Sequence, residues 1–315
     1  MSPYIQLLAL LSSASARFYC TEAEITAALF SVIRFSDKFI VSEEQFPYYK
    51  TRMALEAQPL LACALEKDIH VTTDYSSDEL KTGSIAYYPV KGFITANSLW
   101  WFSSKQFVRD LLAADANPSV SAHFLHINSG GGEAWYLDRV AETLASLHKP
   151  VYSFIEKLAG SAAYYIGVHG NVVKAMTQND IVGSIGTIHD GLDFMAYYEK
   201  IGIKRIRETA TRSDLKNKKY EDLRAGKPGQ FIREDLDPLQ QQFEAAVRAA
   251  RPQLNNLPAD DPVFRAESFY ASPPAVDKML IDGLTSFEDA LSEADALGKE
   301  WAARQNNRKS LMSYL

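Results

Sequence analysis

Apolar positions follow two different spacings along the chain, and the spacing changes near residue 84. Before that point, TEAEITAALFSVIRF and EEQFPYYKTRMALEAQPLLACALEK place their apolar residues as one face of a helix does. Thr21, with Glu24 three residues later, has the pattern of a helix-capping box. Residues 1–80 are therefore predicted to form a helical N-terminal region, which the polar segment DYSSDELKTG separates from the rest of the chain.

From residue 84 onward, strand patterns alternate with helical ones. The predicted strands are SIAYYPVKGFIT, SAHFLHINS, PVYSFIE and NVVKAM, and the helices between them are SLWWFSSKQFVRDLLAADA, EAWYLDRVAETLASLHK and SAAYYIGVH. This alternation indicates an α/β fold with a largely parallel sheet. Further along, the pattern predicts a helix in LDFMAYYEKIG, a strand in IKRIRETA and a long helix from about Ile232 to Ala250. The tail, QNNRKSLMSYL, is predicted to be exposed and flexible until its Leu311–Leu315 end.

Composition narrows the class of protein. The 315 residues are 47% hydrophobic and 23% charged, as in ordinary globular proteins, and the net charge of −6 argues against a nucleic-acid partner. The two cysteines, Cys20 and Cys63, lack metal-ligand spacing, and the chain has no P-loop or EF-hand, so we expect no metal and no cofactor. Few cysteines also favour a reducing, cytoplasmic location.

The first twenty residues, MSPYIQLLALLSSASARFYC, combine a short apolar run with an Ala-Ser-Ala sequence. The run is too short to span a membrane and lacks the basic residues that open a targeting signal. We therefore predict a buried or partner-facing helix and no membrane span, with a signal peptide as the alternative.

Two predicted strand-to-helix junctions carry the candidate chemistry. Gly130, Gly131 and Gly132 follow one strand, and Ser161 follows the next strand along the chain. Parallel strands bring such junctions to one edge of the sheet, where backbone amides could stabilise an oxyanion beside a serine nucleophile. Each feature also has a plain structural interpretation, because serine is a common helix N-cap and glycines often form tight turns.

A serine nucleophile needs a base, and the residues leave several candidates. Among the six histidines we retain His189, with Asp190 to orient it. A buried lysine can also act as a base, and Lys216, Lys218 and Lys219 lie in the segment TRSDLKNKKYED. A lysine cluster of this kind is more often a solvated loop.

Four motifs, HINSGGGEA, LAGSAAYYIG, DIVGSIGTI and FYASPPAVDKMLIDGL, occur in the order found in a known family. On these motifs residues 84–292 resemble the signal peptide peptidase A family of Ser–Lys serine peptidases, and more closely its phage protein C-like capsid protease branch. The resemblance implies a crotonase-like, Clp-protease-like fold of repeated β-β-α units. Residues 1–80 and the tail, 293–315, lie outside it.

The resemblance also assigns roles to residues. The family's nucleophile falls on Ser161, in a register fixed by Tyr164 and Tyr165, and its oxyanion amides fall on Gly131 and Ala162. The family's lysine falls near Arg212 and Ser213, and a shift of three residues places it on Lys216. Lys218 and His189 stay as alternative bases.

The function expected from the resemblance is hydrolysis of peptide bonds by a Ser–Lys dyad. It would serve capsid maturation in a phage or prophage, or signal-peptide-peptidase-like cleavage. The expected partners are a peptide or protein substrate and further copies of the chain in a ring, and the expected location is the cytoplasm, with association with a virion or prohead as the alternative. Two other functions stay open, an inactive capsid-assembly scaffold of the same fold and a crotonase-type acyl-CoA enzyme.

Overall fold

The computed structural model describes residues 18–20, 67–98 and 101–312. Most of the predicted helical N-terminal region, with its capping box, lies outside the described residues. Of that region the structure describes residues 18–20, which form a strand, and residues 67–80, which contain turns and one short strand.

A mainly parallel sheet forms the centre of the described fold. Its main path has the order β10-β7-β6-β5-β3-β2, with parallel pairing between each pair of neighbours, whereas β1 on β5 and β9 on β8 are antiparallel. The strands are β1 Phe18–Cys20, β2 Val71–Thr72, β3 Ser84–Thr95, β4 Phe102–Ser103, β5 Val120–Glu133, β6 Val151–Gly160, β7 Val172–Ala175, β8 Ile181–Gly183, β9 Ser268–Tyr270 and β10 Gly283–Leu284. The predicted α/β class with a largely parallel sheet is confirmed.

Helices cover both faces of this sheet. The helices are α1 Ser104–Ala116, α2 Leu137–Ser146, α3 Ala162–Gly167, α4 Met195–Lys200, α5 Lys218–Arg224, α6 Asp237–Ala250 and α7 Phe287–Met312. Phe107 of α1 and Val140 of α2 belong to the larger buried cluster, together with Tyr88 of β3. Neighbouring Tyr87 points to the opposite face, where it joins Phe287 of α7 in a second cluster. The near-continuous apolar runs of β3 and β5 therefore reflect burial on both faces.

Three predicted elements differ from the structure. The glycines of HINSGGGEA do not end the strand, because β5 continues through them to Glu133 and α2 begins only at Leu137. The strand predicted in IKRIRETA is wrong: residues 203–210 pair with no described strand, and Ile206 is 89% exposed. The tail predicted to be flexible is helical as far as residue 312, because α7 packs its first turns on the sheet and continues outward.

Other predictions hold closely. The strand predicted from SIAYYPVKGFIT spans the same residues as β3, and the long helix predicted from Ile232 includes α6, which two helical turns precede.

The predicted boundary between residues 292 and 293 falls inside α7. Within the described ranges, no helix combines the length and the apolar content that crossing a bilayer requires.

Candidate active site

Ser161 stands at the sharp turn between β6 and α3. Its backbone angles are φ 53° and ψ −121°, a conformation that residues with a side chain rarely adopt. Two backbone bonds hold it there: the Ser161 N–H donates to the Gly183 carbonyl over 2.9 Å, and the Tyr165 N–H donates to the Ser161 carbonyl over 2.8 Å. Strain of this kind costs about 1–3 kcal/mol and is found mainly at functional sites.

The Ser161 hydroxyl has no structural task in the described part of the chain. The residue is 1% exposed, its side chain makes no N-cap bond, and Oγ has no hydrogen-bond partner among the described residues. The interpretation of this serine as an N-cap is therefore wrong. A buried, unpaired hydroxyl is costly to keep, so its presence calls for another explanation.

Small and aromatic residues fix the surroundings of this serine. Ala162 and Ala163 are fully buried directly after it, and Tyr164 is anchored by a 2.9 Å bond from its hydroxyl to the carbonyl of Leu280. Tyr164 thereby ties α3 to the chain before β10. The backbone amide of Ala162, the residue predicted as an oxyanion donor, follows the serine at the start of α3.

Gly131 lies on β5, the strand next to β6. The last register pair between the two strands is Ser129 with Ala159, so two further residues along each strand lead to Gly131 and Ser161. The structure therefore brings the predicted oxyanion glycine and the predicted nucleophile to the same level of adjacent strands, which lie about 4.8 Å apart. Ser161 lies where β6 ends and α3 begins, whereas Gly131 lies inside β5, near the end of that strand and not at a helix start.

The amide of Gly131 is already engaged. Its N–H donates to Ser129 Oγ over 3.0 Å, and the Ser129 hydroxyl donates in turn to the Gly92 carbonyl over 2.5 Å. Sequence reasoning did not single out Ser129, although a serine directly before a glycine run is a residue that can bond the following amides. In this conformation Ser129 occupies the donor that an oxyanion would need.

Gly132 lets β3 and β5 approach closely. A Cβ built on this residue would lie 2.1 Å from the Ile94 carbonyl oxygen of β3, a distance that no side chain can occupy. A register shift between Lys91 and Phe93 accompanies this approach. The glycine run is therefore a device for strand packing as well as a candidate site.

The predicted lysine bases lie away from the Ser161 hydroxyl. Lys216 is exposed, and its backbone carbonyl accepts a bond from the Arg207 guanidinium. Lys218 forms an ion pair with Asp222 at 2.6 Å. Neither lysine bonds Ser161 Oγ in the described structure, so the structure brings Ser161, Ala162 and Gly131 together but leaves the lysines apart from them.

Lys219 is held by another partner. Its ammonium contacts the carboxylate of Asp235, whose side chain is 1% exposed, and that hydrogen bond is the main cause that raises the pKa of Lys219. A raised pKa keeps the lysine protonated, which is the wrong state for a base.

The histidines do not supply a base for Ser161 in the described structure either. His189, the retained candidate, packs its ring 5.0 Å from that of Phe231. Burial lowers the pKa of His169 to about 4, but His169 follows Ser161 by eight residues, about 12 Å along a helix. His126 shares the buried face of Phe124 and bonds Tyr87 and Glu156 at 2.6 and 2.7 Å.

Comparison with known proteins gives the same assignment as the motifs. Residues 144–300 match the family described as Peptidase family S49, and this range includes Ser161 and Lys216. Residues 144–300 belong to peptidase family S49. The chain is also 25% identical over 203 residues to a putative signal peptide peptidase SppA of Enterococcus faecium, which covers 63% of this chain and 56% of that protein.

Other similarities are more partial. A Na(+)/H(+) antiporter NhaA of Brucella melitensis biotype 1 is 29% identical over 181 residues, which are 54% of this chain and 23% of the antiporter. The chain thus spans between about a quarter and little more than half of these curated relatives. Among solved structures, the ClpP protease catalytic domain of Plasmodium falciparum is similar with a TM-score of 0.39 at 14% identity, over 64% of this chain and 85% of that one. ThnE from S. clavuligerus is similar with a TM-score of 0.35 at 12% identity, over 70% of this chain and 82% of that one.

Proposed function

We propose that this S49 family member is a serine endopeptidase that uses Ser161 as its nucleophile. The observation that carries the proposal is the conformation of Ser161: a strained backbone at a strand-to-helix turn, holding a buried hydroxyl with no partner among the described residues. Such a turn exposes a serine oxygen to a reacting carbonyl in other hydrolases. An N-cap or core serine would have no reason for this strain.

In the proposed reaction, Ser161 Oγ attacks the carbonyl carbon of the scissile peptide bond. The neutral amine of Lys216 takes the hydroxyl proton and passes it to the leaving amine, and water then hydrolyses the acyl-enzyme ester. The amides of Gly131 and Ala162 stabilise the oxyanion. The Gly131 N–H must first leave Ser129 Oγ, whose own proton keeps its bond to Gly92.

Lys216 needs a change of surroundings before it can act. It is exposed, whereas a base has to be a neutral amine, which an apolar wall favours. We therefore propose that further copies of the chain supply this wall in a ring-like assembly. Lys218 and His189 are the alternative bases. The substrate is an extended peptide or protein segment, in capsid maturation or signal-peptide-peptidase-like cleavage.

One observation favours a second candidate function, an inactive assembly scaffold. No described side chain bonds the Ser161 hydroxyl, so the described residues hold no base positioned on it. A scaffold would keep the fold and the turn at Ser161 without catalysis.

A fluorophosphonate probe separates the two functions, because it reacts with activated serines. We expect labelling of the full chain that Ser161→Ala abolishes. The matched control is Ser153→Ala, since Ser153 lies on the same strand, is fully buried and has an unpartnered hydroxyl among the described residues, but belongs to a regular strand. Equal labelling of wild type and Ser161→Ala would contradict the assignment, and an unlabelled, folded wild type would favour the scaffold.

A further inference from the structure

Strand β1 pairs with β5, the strand that contains Gly131, the candidate oxyanion glycine. Phe18, Tyr19 and Cys20 pair antiparallel with Glu133, Gly132 and Gly131 in that order. This pairing is a backbone arrangement that joins the N-terminal part of the sequence to the site more than a hundred residues away.

The edge of β5 that β1 uses can be identified. Gly131 and Gly132 pair with Phe93 and Ile94 of β3 on one side, and a strand has only two hydrogen-bonding edges. Therefore β1 occupies the other edge, which is the edge that β6 uses as far as Ala159.

The position of β1 is set by the end of β6. Because β6 turns out of the sheet at Ser161 to begin α3, it leaves the edge of β5 open from this level onward. Cys20 lies opposite Gly131, at the level where β6 leaves the sheet. Strand β1 therefore lies next to the turn that carries Ser161, the candidate nucleophile.

A peptide substrate needs this same position. To place a carbonyl between Ser161 and the Gly131 amide, an extended peptide has to lie along the edge of β5 that β6 leaves. Backbone hydrogen bonds would hold the peptide there regardless of its sequence. The segment that occupies the edge is already extended and belongs to the same chain.

We propose that β1 is an intramolecular competitor that blocks the peptide-binding edge, Gly131–Glu133, in the resting protein. The proposal rests on the proposed function of Ser161. The engaged amide of Gly131 fits an occupant that is not cut, because its N–H bonds Ser129 Oγ and is not available to an oxyanion.

The size of the block depends on tethering. A tethered segment acts at an effective concentration on the order of 1 mM, so a segment with a dissociation constant of about 0.1 mM would raise the apparent KM for added peptide about tenfold. Since the competitor only occupies the binding edge, it should leave kcat unchanged.

The test uses the full chain with Phe18→Pro and Tyr19→Pro together. Successive N–H groups of a strand point to opposite sides, so this double change removes at least one donor facing β5, whichever of the two residues carries it. The matched control is Phe18→Leu with Tyr19→Phe, which keeps both N–H groups. We expect the proline variant to lower the KM for a peptide substrate about tenfold at unchanged kcat, and the control to behave as wild type.

Two further measurements separate failure of the block from failure of the proposed function. Amide hydrogen exchange at Gly131–Glu133 should be faster in the proline variant than in the control, and this readout needs no catalysis. Added peptide Arg-Phe-Tyr-Cys, with an amidated end, should inhibit the proline variant competitively. Equal exchange in both variants, or an unchanged KM in an active enzyme, would overturn the block. So would release of residues 1–20 by the enzyme itself, because the segment would then be a substrate.

Discussion

At the scale of the residue, backbone conformation separates two serines that are otherwise alike. Ser153 and Ser161 are both buried on or beside β6, and both hydroxyls are unpartnered among the described residues. Of these two serines, only Ser161 has a positive φ. Burial and the missing hydrogen bond therefore do not identify a candidate nucleophile by themselves; the strained turn distinguishes Ser161 from Ser153.

The strain at Ser161 predicts an unusual order of stabilities. Ser161→Gly should raise the free energy of unfolding by about 1–2 kcal/mol over Ser161→Ala, because glycine adopts φ 53° without strain. Ser161→Ala itself should lie within about 1 kcal/mol of wild type, since no bond is lost. Urea denaturation of the three proteins measures the order, and a large loss in Ser161→Ala would mean that the hydroxyl has a structural partner.

His169 predicts a pH dependence of stability. Burial lowers its pKa to about 4, against about 6.5 in an unfolded chain, so the unfolded state binds the proton more readily. The stabilising contribution is complete above pH 6.5 and is lost as pH falls towards 4, by about 3 kcal/mol at most. Urea denaturation between pH 7 and 4 should show a weaker pH dependence in His169→Gln than in wild type; parallel curves would contradict this origin.

At the scale of the element, β5 combines two tasks in one strand. Its first part is a buried parallel strand, and its glycine-rich part approaches β3 closely while presenting the other edge near Ser161. The glycines are needed in this strand because a side chain at Gly132 would collide with the β3 backbone.

Gly132→Ala should therefore destabilise the fold strongly. The new Cβ would lie 2.1 Å from the Ile94 carbonyl oxygen, and separating the two strands should cost about 3 kcal/mol or more. Gly92→Ala is the control: Gly92 has φ +71° but nothing within 4 Å of a Cβ, so only about 1 kcal/mol of backbone strain is expected. Urea denaturation of both variants compares them, and equal losses would show that β3 can move aside.

We predict that the lysine segment also decides activity. Lys216→Ala should abolish peptide hydrolysis, whereas Lys218→Ala should keep most of it, because Lys218 is committed to an exposed ion pair with Asp222. Initial rates on a casein-type substrate compare the two variants, and circular dichroism checks their folding. A fully active Lys216→Ala with an inactive His189→Ala would transfer the role of base to His189.

At the scale of the whole molecule, residues 191–216 expose more apolar surface than a monomer usually does. The exposed side chains in this stretch are Leu192, Phe194, Tyr197, Tyr198, Ile201, Ile203, Ile206 and Leu215. Exposed patches of this kind mark interaction surfaces. This stretch includes Lys216, the proposed base. Burial of the stretch against a second copy of the chain would therefore also place apolar side chains around Lys216.

This surface predicts that activity depends on protein concentration. Ile206→Asp should weaken assembly and lower activity together while leaving the monomer folded, because Ile206 is 89% exposed. Asp78→Lys, at an exposed loop residue, is the control and should behave as wild type. Light scattering and peptide hydrolysis across a dilution series measure both effects. A monomer with full activity would refute the role of assembly.

The local pattern was sufficient for elements whose apolar spacing shows which face they bury. The strand over residues 84–95 and the long helix before residue 250 are correct because their apolar spacing matches the surfaces they bury. The strand expected in IKRIRETA failed for the opposite reason: its β-branched residues have a strand pattern, but among the described residues no neighbouring strand pairs with them.

The sequence by itself determined the α/β class, the succession of strands and helices, and the serine between two small residues as the candidate nucleophile. These features depend on spacing and residue type, which act locally. Tertiary structure alone decided that the glycines lie within β5, that Ser129 holds the Gly131 amide, and that Phe18–Cys20 occupies the edge of β5 that β6 leaves. Each of these depends on which backbone groups meet across the sheet, and that pairing is set by packing between residues far apart in the chain.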